Sequence, residues 1–347
     1  MSGTPGGPSG ADGSEGDPRS DGLAAAVEAV EKTPRDAPVL LACHVTPDGD
    51  ALGSMLAFGL GLRRLGFTAV QASFPEPFDV PEPFRFLPGL DLLVAPHAVS
   101  GSPGLAVGFD AATPGRLGEL AAHLAAAPTW LILDHHASNP GFGSVRLIDP
   151  SAAATAVLSA RLLDRLGVAI DAEIATCLYV GIATDTGSFK YDTTTPEVLA
   201  LAARLVAAGA DSAAIARRVF DTRPFAAIQL LVDVLRRAEL DREAAGGRGL
   251  VTAYATLDDM SRYAQPPHVL ESFMDVIRTT AEADVACLAK PVTPGEWAVS
   301  MRSRGATDLV PVAVALGGGG HRLAAGFMWH GEVADLFATV RARLAQC

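Results

Sequence analysis

The chain has 347 residues, 49% of them apolar, and a formal net charge of −12. This length is enough for two buried cores, so we expect two domains. The negative charge disfavours contacts with long duplex nucleic acid, and the absence of a bilayer-length apolar stretch predicts no membrane partner. Four scattered cysteines and an N-terminus without a secretion signal predict a cytoplasmic protein.

Strand-like and helix-like segments alternate over the first two thirds of the chain. Residues 1–20 are rich in Gly, Ser, Pro and Asp and are predicted to be a disordered tail. Strands are predicted at 39–43, 68–73, 105–109 and 130–133, and helices at 23–31, 51–65, 116–126, 153–166 and 172–183. The alternation predicts an α/β domain at 21–222, with a mostly parallel sheet flanked by helices.

The pattern becomes helical after Asp192. Helices are predicted at 196–208, 212–220 and 226–240, followed by a polar, Gly-containing stretch at 241–249. Strands at 250–255, 285–289 and 297–301 then alternate with helices again. We therefore expect a helical linker at 223–247 and a smaller α/β domain at 248–347.

Polar side chains follow the first predicted strand. His44, Asp48 and Asp50 fall within seven residues, and Pro47 and Gly49 favour a tight loop in which these side chains converge. Open α/β sheets bind ligands at the carboxyl ends of their strands. Asp50 is an equally good N-cap for the helix predicted to follow it, so this cluster alone leaves metal binding and capping open.

The tripeptide Asp134, His135 and His136 directly continues a buried apolar strand. Groups buried there need polar partners, and oxygen and nitrogen donors without sulfur favour a divalent ion such as Mn²⁺ or Mg²⁺. A metal-bound histidine needs an orienting partner, for which Asp134 is the natural candidate. The alternative is one hydrogen-bonded core histidine and one in a solvated loop.

Two further carboxylates end apolar segments. Asp110 closes the predicted strand 105–109, where a turn residue is the alternative interpretation. Asp185 follows the apolar helix 172–183, where Gly187 would close an ordinary C-terminal turn. An anionic side chain at the negative end of a helix needs a nearby cation, which is either a metal ion or Lys190.

Together these residues predict a pair of metal ions. The candidate ligands are His44, Asp48, Asp50, Asp110, His135 and Asp185. The four carboxylates match the charge of two divalent ions, and Asp110, which lies between the two clusters in the chain, is the candidate bridge. Two such ions roughly 3.5–4 Å apart activate a water and clamp a phosphoryl group. The set therefore predicts hydrolysis of a phosphorus–oxygen bond.

A second anion-binding element is predicted near the C-terminus. Four consecutive glycines lie there: Gly317, Gly318, Gly319 and Gly320. Apolar residues on both sides favour a backbone-amide cradle for phosphate over a flexible linker, and His321 would donate to the same anion. Arg302 and Arg304 end a strand of the same domain and can also bind an anion. A structural salt bridge is the alternative for either arginine, more so for Arg304.

These motifs, taken together, resemble the DHH phosphoesterase superfamily and, within it, the nanoRNase and pAp-phosphatase group. The resemblance covers residues 37–327 and follows the family order: His44-x3-Asp48-x-Asp50, then Asp110, then Asp134-His135-His136, then Asp185. The Gly-rich run with His321 is similar to that of the associated C-terminal DHHA1 domain. Alanines replace the more polar residues of relatives after Asp110, which bears on the details of substrate binding.

The resemblance implies a phosphoric ester hydrolase with two divalent ions, Mn²⁺ first and Mg²⁺ or Co²⁺ as alternatives. One ion would take His44, Asp48 and Asp110, and the second would take Asp50, Asp110, His135 and Asp185. His136, beside Asp134, would be catalytic and would contact the scissile phosphate or assist the leaving group. The implied residues for the terminal phosphate or a neighbouring nucleotide are Arg302, Gly318, Gly319, Gly320 and His321.

The implied substrates are oligoribonucleotides of a few residues, cleaved to mononucleotides, and 3′-phosphoadenosine 5′-phosphate (pAp), hydrolysed to AMP. A cleft between the domains would explain the preference for short chains, and a homodimer is implied. A phosphodiesterase for cyclic di-AMP or linear dinucleotides is an alternative. A RecJ-type exonuclease would need extra nucleic-acid-binding domains, and a family II pyrophosphatase would need a different C-terminal domain. A metal-dependent nucleotide sensor would lack a ligand, and every expected ligand is present.

Overall fold

Five parallel strands form the first sheet, in the order β2-β1-β3-β4-β5. The structure, a computed structural model, describes residues 18–99 and 101–346 of the chain. The strands are β1 Val39–Cys43, β2 Val70–Ser73, β3 Leu105–Phe109, β4 Thr129–Asp134 and β5 Val145–Ile148. Strands β1 and β3 are buried along their whole length, as expected for a parallel sheet that helices cover on both faces.

Helices cover this sheet and position its functional edge. They are α1 Pro18–Lys32, α2 Gly49–Arg64, α3 Leu120–Ala125, α4 Thr155–Arg165 and α5 Ala172–Asp185. A Cβ on Gly53 of α2 would lie 2.4 Å from the carbonyl oxygen of Cys177 in α5, and one on Gly181 would lie 2.9 Å from Oδ1 of Asp50. These two glycines therefore let α2 and α5 pack closely enough to bring Asp50 and the end of α5 together.

A helical region leads to the second domain. Its helices are α6 Pro196–Ala207, α7 Ser212–Val219 and α8 Phe225–Arg236. Within the described residues no single helix is long and apolar enough to cross a bilayer, and only α6 and α7 taken together, bent by 108°, meet the length and composition criteria.

The second sheet is mixed and has the order β10-β11-β9-β8-β7-β6. Its strands are β6 Glu239–Asp241, β7 Leu250–Tyr254, β8 Val285–Thr293, β9 Glu296–Ser303, β10 Gly319–His321 and β11 Ala324–His330. The associated helices are α9 Ala244–Gly247, α10 Leu257–Tyr263, α11 Glu271–Ile277, α12 Val310–Ala315 and α13 Val333–Leu344. Strands β7 and β8 are parallel, and the other neighbours are antiparallel.

The predicted fold class is confirmed, with local differences. Strand β5 was missed because it lies in a polar, Gly-containing segment. The helix predicted at 116–126 is a 3₁₀ turn, Pro114–Leu117, followed by α3, because Gly118 between them has a φ of 50°, outside the right-handed helical region.

In both domains, regular structure begins before the predicted range. Helix α1 includes residues 18–20 of the predicted tail, and residues 1–17 lie outside the described residues. Strand β6 lies within the range predicted for the linker and forms the edge of the second sheet. The exact domain bounds stay a prediction.

Candidate active site

Three neighbouring strands bring the predicted site residues together. His44 follows β1, Asp110 follows β3, and Asp134 ends β4, with His135 and His136 directly after it. Since β1, β3 and β4 are adjacent and parallel, their carboxyl ends meet at one edge of the sheet. The side chains of His44, Asp110, Asp134 and His135 are buried there.

His44, Asp48 and Asp110 form one group of converging donors. The Nε2 atom of His44 lies 3.5 Å from Oδ2 of Asp110 and 3.8 Å from Oδ2 of Asp48. The other ring nitrogen, Nδ1, lies 2.8 Å from the carbonyl oxygen of Val45 and donates to it in the tautomer that leaves Nε2 free. This pattern is the one that orients a histidine ligand, and the three donor atoms lie close enough to hold one metal ion.

Asp50, Asp110 and His135 form a second group. The Nε2 atom of His135 lies 3.5 Å from Oδ1 of Asp110, 4.0 Å from Oδ2 of Asp50 and 3.1 Å from Oδ2 of Asp185. Its Nδ1 atom lies 3.2 Å from the carbonyl oxygen of Ala152. Asp110 therefore presents Oδ2 to the first group and Oδ1 to the second, which is the arrangement that a bridging ligand needs.

Asp50 is not the N-cap of α2, which was the alternative that the sequence left open. The N-cap of α2 is Asp48, whose Oδ1 accepts hydrogen bonds from the backbone N–H groups of Asp50 and Ala51. Asp50 instead accepts from Thr155 (2.6 Å) and Ala156 (2.8 Å) at the start of α4. Its carboxylate thus ties α2 to α4 and faces the second group of donors at the same time.

The electrostatics of the cluster favour added positive charge. Burial lowers the pKa of His44, but the hydrogen bonds to Asp110 and Asp48 and their charges outweigh it and raise that pKa to about 10. Burial likewise lowers the pKa of His135, yet Asp185, Asp110 and Asp50 raise it to about 11. The buried carboxylates thus hold protons on both imidazoles, and divalent cations would satisfy the same demand. The donor set fits such ions.

The carboxylates differ among themselves. Burial raises the pKa of Asp50 well above its ordinary value, and the charges of Asp110 and Asp185 add to this. Burial also raises the pKa of Asp110, but the hydrogen bond from His44 and the charges of the surrounding histidines outweigh it and lower that pKa. Asp110 is therefore held in its anionic form, as suits a shared ligand.

Asp134 orients His136. The sequence had instead suggested Asp134 as the orienting partner of the metal-facing His135. The Nδ1–H of His136 donates to Oδ1 of Asp134 at 2.7 Å, and Nδ2 of Asn139 donates to Oδ2 at 2.6 Å. The partner of His135 is the carbonyl group of Ala152. The fully buried Asp134 therefore leaves Nε2 of His136 free to act on a substrate.

The second domain reaches this site through His321. Its ring stacks on that of His136, with centroids 5.0 Å apart and planes 24° apart, and lies 5.4 Å from the ring of His135. Burial and the two neighbouring histidines lower the pKa of His321 to about 4, so this imidazole is neutral at physiological pH. Arg302 of β9 lies on the far side of β11 from His321: it pairs with Ala324 of β11, which in turn pairs with His321 of β10.

The glycine run is partly an edge strand and not only a loop. Gly319 is the first residue of β10 and pairs with Gly326. A Cβ on Gly318 would lie 2.0 Å from the carbonyl oxygen of Gly326, and Gly320 has a φ of 139°. Chain crowding and conformation thus require Gly318 and Gly320, whereas a Cβ on Gly319 meets nothing within 4 Å.

Three polar residues near the cluster were missed by the sequence analysis. Asn139 holds Asp134, the hydroxyl of Thr155 donates to Oδ1 of Asp110 at 3.0 Å, and a guanidinium nitrogen of Arg116 lies 3.0 Å from Nδ1 of His44. Each is close to the cluster only in space, except Asn139, which follows the histidines by a few residues. Arg304 donates to the carbonyl groups of residues 280 and 281, so its role is structural, through hydrogen bonds and not a salt bridge.

Comparisons with known proteins match both domains of the chain. The model of the DHH family, N-terminal domain, matches residues 38–182, and that of the DHHA1 domain matches residues 253–346. The bifunctional oligoribonuclease and PAP phosphatase NrnA of Thermus thermophilus is 36% identical over 84% of each chain. A probable bifunctional oligoribonuclease and PAP phosphatase of Streptococcus mutans is 25% identical, over 83% of this chain and 88% of its own.

A solved structure supports the fold in full. An exopolyphosphatase-related protein from Bacteroides fragilis superposes with a TM-score of 0.83 at 22% identity, over 94% of this chain and 96% of its own. The two matched domains and the similarity to the Thermus protein together cover nearly the whole described chain. The chain therefore belongs to the DHH family of phosphoesterases, with a DHHA1 domain after the DHH domain, and is a phosphoric ester hydrolase.

Proposed function

We propose that this enzyme hydrolyses short oligoribonucleotides to mononucleotides and removes the 3′-phosphate of pAp. The observation that carries the proposal is the stacking of His321 of the second domain on His136, which brings the candidate phosphate-binding residues of that domain next to the carboxylate and histidine cluster. The similarity to the Thermus relative, a bifunctional oligoribonuclease and PAP phosphatase, supports the same pair of substrates.

The metal ligands follow from the two groups of donors. His44, Asp48 and Asp110 would hold one divalent ion, and Asp50, Asp110, His135 and Asp185 would hold the other. Two such ions, when bound, lower the pKa of water and neutralise charge on the phosphoryl group. Oxygen-rich donor sets with imidazole suit Mn²⁺, with Mg²⁺ and Co²⁺ as alternatives. Asp110 would be the shared ligand because its two oxygens face different groups.

His136 would act directly on the substrate. The bond from its Nδ1–H to Asp134 fixes the ring, and Asn139 fixes Asp134 from the other side. The free Nε2 then has one orientation, in which it contacts the scissile phosphate or donates a proton to the leaving oxygen. Asp134 would take part as the group that holds this orientation.

The second domain would bind the other end of the substrate. His321, Arg302 and the N–H groups of Gly318, Gly319 and Gly320 offer donors to a terminal phosphate or a neighbouring nucleotide. Because His321 already contacts His136, little length separates this element from the cluster. Short chains would therefore bind best, and a long RNA would have to pass through the closed cleft.

A single panel tests the proposal. The purified protein is incubated with Mn²⁺ and, separately, pApA, pAp, cyclic di-AMP and pyrophosphate, with a chelator-treated sample as the control. Turnover of pApA or pAp, lost with the chelator, is the expected result. Turnover of cyclic di-AMP alone would make the enzyme a cyclic-dinucleotide phosphodiesterase, and turnover of nothing would make it a sensor. A variant with His135→Ala and His136→Ala should fold but lose hydrolysis.

A homodimer is the proposed assembly, and α8 offers its interface. Phe225, Ile228, Val232 and Leu235 form one exposed face of this helix, with 73%, 46%, 43% and 38% of each residue exposed. Along the chain, Phe225 and Leu235 are each five residues from Leu230, and Ile228 and Val232 are each two residues from it. Two antiparallel copies would therefore match apolar residue to apolar residue along the whole face, as a twofold interface requires.

Charge favours a second copy over a membrane as the occupant of this face. Arg236, at the end of α8, is exposed, and an antiparallel copy would bring it near the second copy's Asp221, which precedes the helix. The net charge of −12 opposes binding to an anionic membrane. Exposed apolar faces of this kind mark interaction sites in soluble domains.

The proposed location is cytoplasmic. Cys43, Cys177 and Cys287 are free and buried, which suits a reducing compartment. Fractionation of source cells with an antibody against the chain tests this, and recovery in the membrane or extracellular fraction would contradict it.

A further inference from the structure

Tyr191 bridges the two domains beside the cluster. The guanidinium carbon of Arg278 lies 4.7 Å from the centroid of the Tyr191 ring, in the geometry of a cation–π pair. Tyr191 follows α5 in the first domain, and Arg278 ends α11 in the second. Arg278 is itself held by Asp275, whose Oδ1 accepts from Nε at 3.1 Å. The pair is thus a direct contact across the cleft.

A strained turn places the Tyr191 ring. Gly187, Ser188 and Phe189 have φ values of 56°, 60° and 63°, so three consecutive residues adopt the left-handed conformation. Two of them, Ser188 and Phe189, carry side chains, for which this conformation is unfavourable. Hydrogen bonds to Thr186 hold the turn, including one from the backbone N–H of Tyr191 at 3.1 Å. Strain of this kind persists where the surrounding structure requires it.

The turn folds the Tyr191 ring back onto Gly187, the first residue of the turn. A Cβ on Gly187 would lie 2.3 Å from two atoms of the Tyr191 ring, so the ring packs directly against the glycine. Gly187 and Arg278 therefore both pack against the ring of the half-buried Tyr191. The ring is clasped between the domains and is not a free stacking platform for a base.

Tyr191 is tied by a short turn to the end of α5 that carries Asp185. The backbone N–H groups of Lys190 and Tyr191 donate to the carbonyl oxygen of Thr186, the residue directly after Asp185. The contact with Arg278 therefore lies next to the part of the first domain that holds a candidate metal ligand.

We propose that Tyr191 and Arg278 form a clasp that closes the Asp185 side of the cleft and thereby limits the length of nucleotide chain that the site accepts. The clasp rests on the proposed function, since it acts on oligonucleotides in that cleft. It is a positioning contact between the domains, and neither residue needs to touch the scissile phosphate. Losing the contact would let the cleft open on this side and admit longer chains.

The test compares chain lengths in the full-length enzyme. Binding of labelled pApA and of a longer 5′-phosphorylated oligoadenylate is measured by anisotropy with Ca²⁺, and turnover is measured with Mn²⁺. Tyr191→Ala and Arg278→Ala should each lower the preference for the short chain by about twofold to thirtyfold, the range for loss of one cation–π pair. The double variant should fall no further, because both changes break the same contact.

Conservative variants separate the clasp from a general structural effect. Tyr191→Phe keeps the ring and should keep the preference, and Arg278→Lys should retain part of it. Arg35→Ala removes a comparable pair inside the first domain, where the guanidinium lies 4.3 Å from the Phe67 ring, and should change nothing. If Tyr191→Ala fails to fold, Arg278→Ala tests the contact from the other domain.

Two outcomes would overturn the clasp. One is an unchanged length preference in folded Arg278→Ala or Tyr191→Ala protein, and the other is a Tyr191→Phe variant that behaves like Tyr191→Ala. Failure of the proposed function would look different: wild-type protein would bind both chains and hydrolyse neither. The binding data would then still test whether the clasp limits chain length. Wild-type protein that bound neither chain would contradict the clasp.

Discussion

The ring of His321 stacks on the ring of His136 across the boundary between the two domains, with centroids 5.0 Å apart. His136 belongs to the cluster at the end of β4, and His321 belongs to an edge strand of the second sheet. Residues of both domains therefore contribute to the candidate site.

Replacement of His321 should separate substrate binding from metal binding. We expect His321→Ala to lower kcat/KM for pApA by about tenfold to a hundredfold, the effect of removing one hydrogen bond to a charged group. Metal stoichiometry, measured by equilibrium dialysis with Mn²⁺, should stay as in the wild type because the cluster keeps its donors. Unchanged kinetics would remove His321 from the substrate site, and lost metal would make it a ligand.

Asp50 should have a structural role that Asp185 lacks. In metal-free protein, Asp50→Ala leaves the N–H groups of Thr155 and Ala156 without their acceptor and should reduce the free energy of unfolding by about 1–2 kcal/mol. Asp185→Ala is the matched control, since Asp185 pairs with the side chain of His135 and does not accept the N–H groups that start α4. Its removal should lower the stability of metal-free protein by less than Asp50→Ala does.

Urea titrations with a chelator present measure both variants. Equal losses of stability in the two variants would contradict the assignment of Asp50 as the tie between α2 and α4. With Mn²⁺ added, both variants should lose the stabilisation that the wild type gains from the ion, because each removes a proposed ligand.

Asp259 should make stability depend on pH in the acid range. Burial raises its pKa, but the hydrogen bond from Arg237 (2.8 Å) and those from Thr256 outweigh this and lower the pKa below its ordinary value. A depressed folded-state pKa means that the stabilisation is present above the unfolded-state pKa near 3.9 and is lost as pH falls further. Asp259→Asn should therefore be less stable than wild type at neutral pH, with the difference shrinking below about pH 4.

Chemical denaturation at a series of pH values checks this expectation. A stability difference that stays constant down to the folded-state pKa would show that packing, and not the charge of Asp259, is responsible. Asp258→Asn, which changes the exposed neighbour of Asp259, is the control and should follow the wild type at every pH.

The exposed face of α8 should hold the dimer together. Phe225→Glu with Ile228→Glu should shift the protein from dimer to monomer in sedimentation velocity, because two charges would be buried without partners. Met328→Glu, at a position 44% exposed on the second domain, is the control and should remain dimeric. A monomeric wild type, or a dimeric double variant, would contradict the interface.

Crosslinking can test the antiparallel register. With Cys347→Ser as background, a mixture of Ile228→Cys and Val232→Cys proteins should form a covalent dimer on oxidation, since these positions face each other in the proposed pairing. The remaining cysteines are buried and would not compete. Efficient crosslinking of Phe225→Cys to itself, in place of the mixed pair, would show a parallel arrangement.

The sequence by itself determined the fold class and the list of polar residues at the strand ends. Apolar runs that end in His44, Asp110 and Asp134 are local patterns, and parallel strands must bring such ends to one edge. The helical region and the smaller α/β domain also followed from periodicity. The family resemblance rested on the same motifs, and the matched domains confirm it.

Only the tertiary structure decided which atoms face each other. Asp48 and Asp50 look alike in the sequence, yet one caps α2 and the other caps α4, because the start of α4 packs against α2. Asp134 orients His136, two residues further on, because successive side chains of an extended strand end point to opposite sides and every second one points to the same side. The contacts of His321 with His136 and of Arg278 with Tyr191 join residues far apart in the chain, and no local pattern carries information about such pairs.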